Sequence, residues 1–461
     1  MKKFNTSLFI FRRDLRLEDN SGLREALLRS REVIPCFIFD PRQVEPHPYR
    51  SRPGLLFMVK ALQDLHVQLT HMDSGLSLFF GDPARVLEQI LAGHAIDAVF
   101  FNHDYTPFSR QRDAQLNAAC EKLNTPFIGL HDALLTDPGA ALKKDGFPYT
   151  VFTPFFNHAS KLAVPLPNSS VPTNLSAKRP GQSHDEIFGK VLPPDSELAS
   201  VPAGRSRAME ILSGLERFRQ YETERDVPEL DATTRLSVHF KFGACSIREA
   251  YYSVFQQLGE HHPLIRQFYW RDFFTLIGYF FPHVFGHAFK RKYDGLVWEN
   301  NADKFQAWCQ GQTGYPIVDA GMRELNETGF MHNRLRMIVA SFLVKDLRID
   351  WRWGEAYFAR HLLDYDPCVN NGNWQWAASI GCDAQPYFRI FNPWNQQKKF
   401  DGECRYIRKW VSELSDFTPA TIHGLESGKG LSDYPACLVD HKKEVAFTKE
   451  MFAAVANSAR R

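Results

Sequence analysis

The stretch from Asp364 to Trp376 carries the densest group of chemically useful side chains in the sequence. It holds two carboxylates, Asp364 and Asp366, the amide of Asn370, and the indoles of Trp374 and Trp376, within one predicted turn and helix. Indoles stack on flat rings, while carboxylates and amides bond to polar ring edges. All nine tryptophans lie in the C-terminal part of the chain, an asymmetry that core packing alone does not explain. We therefore expect this part to bind a flat, polar-edged, redox-active molecule.

A second cluster, Thr233-Thr234-Arg235-Leu236-Ser237, precedes a predicted helix. Its hydroxyls, backbone amides and guanidinium can hold a pyrophosphate by charge-assisted hydrogen bonds. The alternative is an ordinary turn whose hydroxyls cap the helix. The residues alone leave both interpretations open.

A third cluster lies on the predicted helix that begins near His332. Asn333 and Met337 are four residues apart and share one helix face, with Arg334 and Arg336 turned away from it. A buried arginine needs a carboxylate partner, and Asp364 and Asp366 are the candidates. A solvated basic turn beside a core methionine is the alternative.

Short apolar runs separated by helical patterns define the first part of the chain. They lie at residues 7–11, 33–39, 76–80, 98–101 and 126–130. Such alternation is typical of a parallel α/β sheet. No glycine-rich dinucleotide fingerprint and no Walker loop follows these runs.

The pattern divides the chain into three predicted regions. An α/β domain covers residues 1–135, and a linker rich in Pro, Ser, Asn and Gly lies within residues 136–206. Residues 207–461 lack strand signals and show helical periodicity, so we predict an all-helical second domain.

Composition narrows the class of protein. With 44% hydrophobic and 23% charged residues, the sequence is that of an ordinary globular protein, and no apolar run is long enough to cross a membrane. The net charge of +2 means that any nucleic-acid surface must come from local clustering. The eight cysteines lack zinc-site spacing, so we expect no metal and predict reduced thiols in a cytoplasmic protein.

Several longer motifs resemble one known family. They are Gly314-Tyr-Pro-Ile-Val-Asp-Ala-Gly-Met-Arg, MHNRLRMIVASFLVKDLRIDW (331–351), NNGNWQWAAS (370–379) and PYFRIFNP (386–393). With the opening FRRDLRLEDN, they resemble the DNA photolyase and cryptochrome family, most closely class I cyclobutane pyrimidine dimer photolyases. The resemblance covers nearly the whole chain. It implies an α/β, Rossmann-like antenna domain with a parallel sheet, followed by an all-helical FAD-binding domain.

The resemblance implies how FAD would be held. Asn370 would face flavin N5, where an amide can accept a hydrogen bond without bringing negative charge beside an anionic reduced flavin. The other implied flavin contacts are Tyr221, the phosphate-holding loop Thr233, Thr234, Arg235, Leu236 and Ser237, the Arg336–Asp364 pair, and Asp366 on the polar edge of the isoalloxazine. Trp298, Trp351 and Trp374 match electron-relay indoles, whereas we predict that Trp308 and Trp353 are core residues.

The resemblance also implies a surface for UV-damaged DNA. Trp270 and Trp376 match the indoles that pack on a flipped-out dimer, and Asn333 and Met337 match its polar and thioether contacts. The implied phosphate contacts are Arg225, Arg271, Arg334, Arg389 and Lys399. Phosphate contacts give salt-dependent affinity with little sequence preference.

Two departures from the family pattern matter. Gln267 stands where class I members place a Glu that bonds the dimer bases, and an amide cannot supply a carboxylate's charge. Members that hold folate carry Asn-Glu before an Arg-x-Arg-Asp run, whereas this chain has Phe108-Ser109 there. The segment from Asn102 to Pro107 resembles members that bind a deazaflavin. We therefore expect a deazaflavin as the antenna chromophore, with flavin mononucleotide as the second choice. Folate is not expected, and an empty pocket is the alternative.

The implied activity is light-driven cleavage of cyclobutane pyrimidine dimers by a monomer. Repair of (6-4) photoproducts is the runner-up, since such enzymes share Gln267 but carry a His in place of Met337. A cryptochrome-type photoreceptor is the alternative from another class, although the short stretch after Trp410 leaves no room for a long signalling tail.

Overall fold

The computed structural model describes residues 2–170, 173–192, 203–384, 386–428 and 430–458. Residues 171–172 and 193–202 of the predicted linker lie outside the described residues. The chain forms two compact units. The sheet unit comprises Met1–Arg219 and Thr234–Phe280, and the helical unit comprises Gln220–Thr233 and Phe281–Arg461. The predicted boundaries at residues 135 and 206 stay a prediction.

A five-stranded parallel sheet lies at the centre of the sheet unit, in the order β3-β2-β1-β4-β5. Its strands are β1 Phe4–Phe11, β2 Ser30–Phe39, β3 Ser77–Phe80, β4 Ala98–Asn102 and β5 Phe127–Leu130. Each overlaps one of the predicted apolar runs. Leu8, Phe9 and Ile10 are all buried, as expected for a strand covered on both faces. The predicted fold class is confirmed.

The sheet unit also contains helices. They are α1 Ser21–Arg29, α2 Pro41–Val44, α3 Arg52–Thr70, α4 Pro83–Gly93, α5 Pro107–Lys122, α6 Phe152–Ala159, α7 His184–Val191, α8 Arg205–Ser213, α10 Ser237–Phe242, α11 Ile247–Leu258 and α12 Pro263–Phe280, with a 3-10 turn at Leu215–Phe218. Capping side chains mark where several of these helices begin. At α11, Ser246 and Glu249 form a capping box.

The helical unit begins with α9 Tyr221–Glu224 and contains no strand among its described residues. Its further α-helices are α13 Ala302–Gln310, α14 Pro316–Thr328, α15 Asn333–Ser341, α16 Trp351–His361, α17 Pro367–Ala377, α18 Pro393–Phe400, α19 Arg405–Trp410, α20 Pro419–Gly424 and α21 His441–Ser458. A π-helical turn, Phe342–Asp346, follows α15, and 3-10 turns lie at Pro282–Val284, Arg291–Gly295, Ser412–Leu414 and Leu425–Ser427. Within the described residues, no helix has the length and apolarity that a bilayer crossing requires.

A buried charge network attaches α11 to the sheet. Asp132, after β5, accepts from Arg16 Nη2 at 2.5 Å and from Arg248 Nη2 at 2.8 Å. Arg248 Nε also lies 2.9 Å from Asp19 Oδ2. The two arginines hold the pKa of Asp132 well below its ordinary value, against the effect of its burial. These contacts explain why α11 belongs to the sheet unit although its sequence pattern is that of the later helices.

We predict that Asp132→Asn destabilises the sheet unit, because Arg16 and Arg248 would keep buried charges with no carboxylate between them. Loss of one partner of a buried pair costs about 3–5 kcal/mol. Urea unfolding followed by circular dichroism should show a clearly lower midpoint. As control, Glu186→Gln removes one partner of an exposed pair on α7 and should change stability by less than about 1 kcal/mol. Equal midpoints for both variants would contradict the prediction.

Candidate functional site

The carboxylate of Asp364 lies at the centre of a bidentate ion pair in the helical unit. Arg336 Nη1 and Nη2 lie 3.1 and 3.0 Å from its two oxygens. Arg336 Nε donates to the Met331 carbonyl at 2.8 Å, which fixes the plane of the guanidinium. Asp364 is buried, so the paired arginine offsets the cost of its negative charge. The predicted pairing is present, and its role toward a flavin stays a prediction.

Asp366 begins α17. Its Oδ1 accepts from the backbone N–H of Cys368 at 3.0 Å and of Val369 at 3.2 Å, and Pro367 occupies the first helical position. Such a cap satisfies backbone donors that a helix start leaves without partners. The carboxylate thus sets the direction of the helix that carries Asn370, Trp374 and Trp376.

The side-chain amide of Asn370 is oriented by the neighbouring helix α16. Its Nδ2 donates to the backbone carbonyl of Glu355 at 3.2 Å, and the side chain is buried. Because the donor end of the amide makes this bond, the oxygen end is the one available to accept. The arrangement therefore suits a ligand that presents an N–H group.

A buried polar network beside Asn370 joins α16 to α17. Asn371 Nδ2 donates to Glu355 Oε1 at 2.9 Å and to the Val284 carbonyl at 3.0 Å. Gln375 Nε2 donates to Asn371 Oδ1 at 3.0 Å. Burial raises the pKa of Glu355 to about 7. The network holds the two helices in one register and thereby fixes Asn370.

The tryptophans of this unit differ in how their indole N–H groups are satisfied. Trp308 Nε1 donates to the Val339 carbonyl at 3.1 Å, as a core residue should. Trp374 is equally buried, yet its Nε1 has no hydrogen-bond partner among the described residues. A side chain at Gly354 would overlap the Trp374 ring, so glycine is needed there. Trp374 is thus held by packing alone.

The predicted relay residues lie in or against one core cluster. Trp351 and Trp374 are buried members of it, whereas the partly buried Trp298 packs against it and makes an edge contact with Phe452 at 6.4 Å. Trp353 is also partly buried and contacts Phe305. Burial therefore increases from Trp298 to Trp351 and Trp374.

The remaining predicted flavin contacts occupy two places. In the helical unit, Tyr221 begins α9, and burial raises its pKa, with Arg225 beside its ring. Thr233 is the last residue of Gln220–Thr233, the first segment of the helical unit. In the sheet unit, Arg235 adopts a left-handed φ of 52°, and the exposed Ser237 begins α10. Thr234 Oγ1 accepts from Leu236 N at 3.4 Å, as the turn interpretation predicts.

Three predicted DNA contacts lie on α12 of the sheet unit. Trp270 stacks on Phe152 with ring centroids 3.5 Å apart and an interplanar angle of 5°. Gln267 lies one helical turn before it and is partly exposed. Arg271 Nη1 donates to the Ala133 carbonyl at 2.6 Å, so part of this guanidinium serves the fold.

The other predicted DNA contacts belong to the helical unit. Arg389, Lys399 and Asn333 are exposed, and Arg225, Arg334, Met337 and Trp376 are partly exposed. Helices α15 and α17, which carry Met337 and Trp376, pack against each other. Contrary to the expectation from helix spacing, the tip of Arg334 reaches Met337, with Nη1 3.9 Å from its sulfur. Residues three positions apart are neighbours on a helix surface, so the expectation that Arg334 turns away from Met337 was wrong.

The residues that suggested an antenna chromophore are engaged within the sheet unit. Asn102 Nδ2 donates to Asp14 at 2.6 Å and to Asn20 at 2.7 Å, and its oxygen accepts from Gly22 N. Asp104 pairs with Arg13 at 3.1 Å. Both side chains therefore hold the carboxyl ends of the central strands, and the second chromophore stays a prediction.

Comparisons with known proteins identify the family. Residues 7–172 match the model of DNA photolyase, and residues 264–454 match that of the FAD binding domain of DNA photolyase. The chain is 37% identical to a deoxyribodipyrimidine photo-lyase of Synechococcus sp., over 97% of each protein. This chain belongs to the DNA photolyase family.

Two solved structures show the same architecture as this photolyase family member. An archaeal photolyase from Sulfolobus tokodaii, solved with two FAD molecules, has a TM-score of 0.88 and 43% identity, covering 97% of this chain and 100% of that one. A class III photolyase from Agrobacterium tumefaciens has a TM-score of 0.90 and 32% identity, covering 99% and 98%. The predicted photolyase and cryptochrome family is confirmed, and the class within it stays a prediction.

Sequence reasoning missed two acidic residues of the helical unit. Glu355 gives no signal beyond helical periodicity, yet it contacts Asn370 and Asn371 of α17. Asp226 lies 2.7 Å from Arg334, for which only Asp364 and Asp366 had been considered. Its neighbour Arg225 was singled out, so the charge alternation at 225–226 was the one available signal.

We predict that Glu355→Gln flattens the dependence of stability on pH. The pKa of Glu355 is higher in the folded protein, about 7 against 4.5, so the folded state binds more protons and loses stability as pH rises between these values. Gln keeps the acceptor for Asn371 and removes the titration. Melting temperatures are measured between about pH 5 and about pH 8. With rising pH, the melting temperature of the unmodified protein should fall more steeply than that of the variant, by an amount that corresponds to at most one bound proton.

The exposed Glu327 on α14 offers a matched control, since Glu327→Gln removes the same group from a solvated position. Its profile should follow that of the unmodified protein. If Glu355→Gln also follows it, Glu355 does not titrate in this range.

Proposed function

We propose that this chain is a light-driven DNA repair lyase that splits cyclobutane pyrimidine dimers. The observation that carries the proposal is the orientation of Asn370, whose amide donates inward to Glu355 and leaves its oxygen to accept. The Synechococcus relative bears the name deoxyribodipyrimidine photo-lyase and matches over nearly its full length, which supports the same reaction here.

The residues present fit FAD, for which the family model supplies a binding domain. When bound, reduced FAD supplies the photoexcited electron that opens the cyclobutane ring and takes it back after cleavage. In the helical unit, Asn370 would accept from the flavin N5–H, Arg336 and Asp364 would hold their fixed pair beside it, and Asp366 would bond its polar edge. Tyr221 and the 233–237 loop would contact the rest of the cofactor, with the loop on its phosphates.

The chain's other task is to hold a flipped dimer and the DNA around it. Trp270 is braced by Phe152 and presents a rigid ring for stacking. Trp376, Asn333 and Met337 would give the helical unit's contacts to the lesion, and Gln267 would bond its bases. Arg225, Arg334, Arg389 and Lys399 are the proposed phosphate contacts, with Arg271 contributing the part of its guanidinium that Ala133 does not engage.

We propose a second chromophore of the flavin class in the sheet unit. The segment from Asn102 to Pro107 supports a deazaflavin, and flavin mononucleotide is the alternative. The Sulfolobus photolyase was solved with two FAD molecules, so FAD joins these candidates. The absence of the Asn-Glu pair before Arg110 argues against folate.

We also propose that the protein acts on UV-damaged DNA as a cytoplasmic monomer. Its eight cysteines are free thiols, seven of them buried, which suits a reducing compartment. Burial raises the pKa of several of these thiols, including Cys245 and Cys404, each to about 12, so they remain unreactive.

The first test of the function is a repair assay in blue light and in the dark. We expect the purified protein with reduced FAD to split cyclobutane dimers only in light and to leave (6-4) photoproducts unchanged, because Met337 stands where their repair needs a histidine. Chromatography of the repaired oligonucleotides measures both products. Repair of (6-4) products alone would make Gln267 the better guide to the substrate, and binding without any repair would favour a photoreceptor.

We predict that Trp374→Phe slows photoreduction of oxidised FAD strongly while repair by chemically reduced enzyme stays nearly intact. Phe fills most of the buried volume but is a much poorer electron donor than an indole. Absorbance during blue illumination with an external reductant measures the rate. As control, Trp308→Phe removes an indole whose N–H bonds the backbone, so it should lower stability more than the photoreduction rate. Unchanged photoreduction in Trp374→Phe would exclude it as a relay.

A further inference from the structure

Arg334, a proposed phosphate contact on α15, is held by an acidic residue from another segment of the helical unit. Its Nη2 lies 2.7 Å from Asp226 Oδ2. Its Nη1 lies 3.9 Å from the Met337 sulfur, and its guanidinium carbon lies 4.3 Å from the ring centroid of Phe400. The side chain of Asp226 is 39% exposed, against 18% for Arg334. The guanidinium is therefore held on several sides, and the carboxylate is its more solvent-accessible partner.

The same segment makes a second contact of this kind. Glu229, three residues after Asp226, lies 3.3 Å from Arg405 on α19. Carboxylate and phosphate groups both present paired anionic oxygens that match the fork of a guanidinium. The segment from Asp226 to Glu229 thus places carboxylates on two arginines, and one of them, Arg334, is a proposed phosphate contact.

We propose that Asp226 is an acidic gate on Arg334. Its carboxylate occupies the guanidinium in DNA-free protein and is displaced by a backbone phosphate when DNA binds. The inference rests on the proposed DNA-binding role of Arg334 and adds a negative regulator to it. Pairs this exposed are weak, so a phosphate can replace the carboxylate.

The gate has a consequence for the overall affinity for DNA. The displaced carboxylate stays near the phosphate and repels it, which lowers affinity for damaged and undamaged DNA alike. Only a flipped lesion adds further contacts that outweigh this loss. The gate therefore weakens binding to undamaged DNA, which greatly outnumbers lesions, and leaves the ratio of the two affinities unchanged.

A purely structural role makes the opposite prediction. If Asp226 served to orient Arg334 for DNA, its removal would weaken binding. Phe400 and Met337 already contact the guanidinium and restrict it without Asp226, so orientation does not depend on the carboxylate.

The test is the affinity of Asp226→Asn for a short duplex with one cyclobutane dimer and for the same undamaged duplex. Flavin-loaded protein is titrated in the dark at several salt concentrations. We expect binding to both duplexes to tighten by roughly two- to fivefold, the range that a weak exposed pair allows. The slope of log affinity against log salt should steepen by up to about one. Unchanged or weaker binding would overturn the gate.

Matched variants separate the pair from a general change of charge. Asp226→Glu keeps the carboxylate and should bind like the unmodified protein. Glu229→Gln makes the same charge change on the same segment but releases Arg405, so its gain should be smaller. In an Arg334→Gln background, Asp226→Asn should gain no more than Glu229→Gln does. An equal gain for Glu229→Gln, or a full gain without Arg334, would also overturn the gate.

Two readouts keep the outcomes distinct. Far-ultraviolet circular dichroism establishes that each variant is folded, and Asp226→Ser replaces Asp226→Asn where the latter is not. Unmodified protein that repairs dimers while Asp226→Asn binds no tighter refutes the gate and leaves the proposed function standing. Unmodified protein that neither binds nor repairs damaged DNA refutes both.

Discussion

The hydrogen bonds between α16 and α17 are the contacts on which the candidate flavin site depends. Polar groups are costly to bury without partners, and here Glu355, Asn371 and Gln375 satisfy one another and the carbonyl of Val284. That closed set fixes the register of the two helices. Asn370, which bonds the backbone of Glu355, consequently presents one particular end of its amide. Asn370, which would tune a flavin, is thus positioned by neighbours that need not touch the flavin.

Two tryptophans of the helical core differ in how their indole N–H groups are satisfied. Trp308 fills the core and satisfies its N–H on a backbone carbonyl. Trp374 fills the same core, leaves its N–H without a partner among the described residues, and needs a glycine at position 354. An indole that carries an electron needs position and a dry environment more than a hydrogen bond. This difference supports a relay role for Trp374 and a packing role for Trp308.

In the sheet unit, buried charged residues position two helices, one of which carries proposed site residues. Arg248 bonds two aspartates of the loops around the sheet, and Asp272 accepts from the backbone N–H groups of Leu135 and Thr136. Burial raises the pKa of Asp272 to about 7, and the two backbone N–H groups hold this carboxyl in place. Both residues fasten helices α11 and α12, and α12 carries Gln267, Trp270 and Arg271. The residues proposed to contact the lesion therefore lie on a helix that is held by hydrogen bonds to residues far away in the sequence.

The sequence by itself determined the five strands, the helical character of the later chain and the family, and the family resemblance implied the Arg336–Asp364 pairing. Strands and helices follow from local periodicity, because a parallel strand buried on both faces must be apolar along its length. It did not reveal Asp226 on Arg334, Glu355 behind Asn370, or the engagement of Asn102 within the fold. A carboxylate or amide has the same local signal whether it caps a helix, faces water or pairs with an arginine a hundred residues away. Only the tertiary structure decided these partners, since they depend on which segments the packed core brings together.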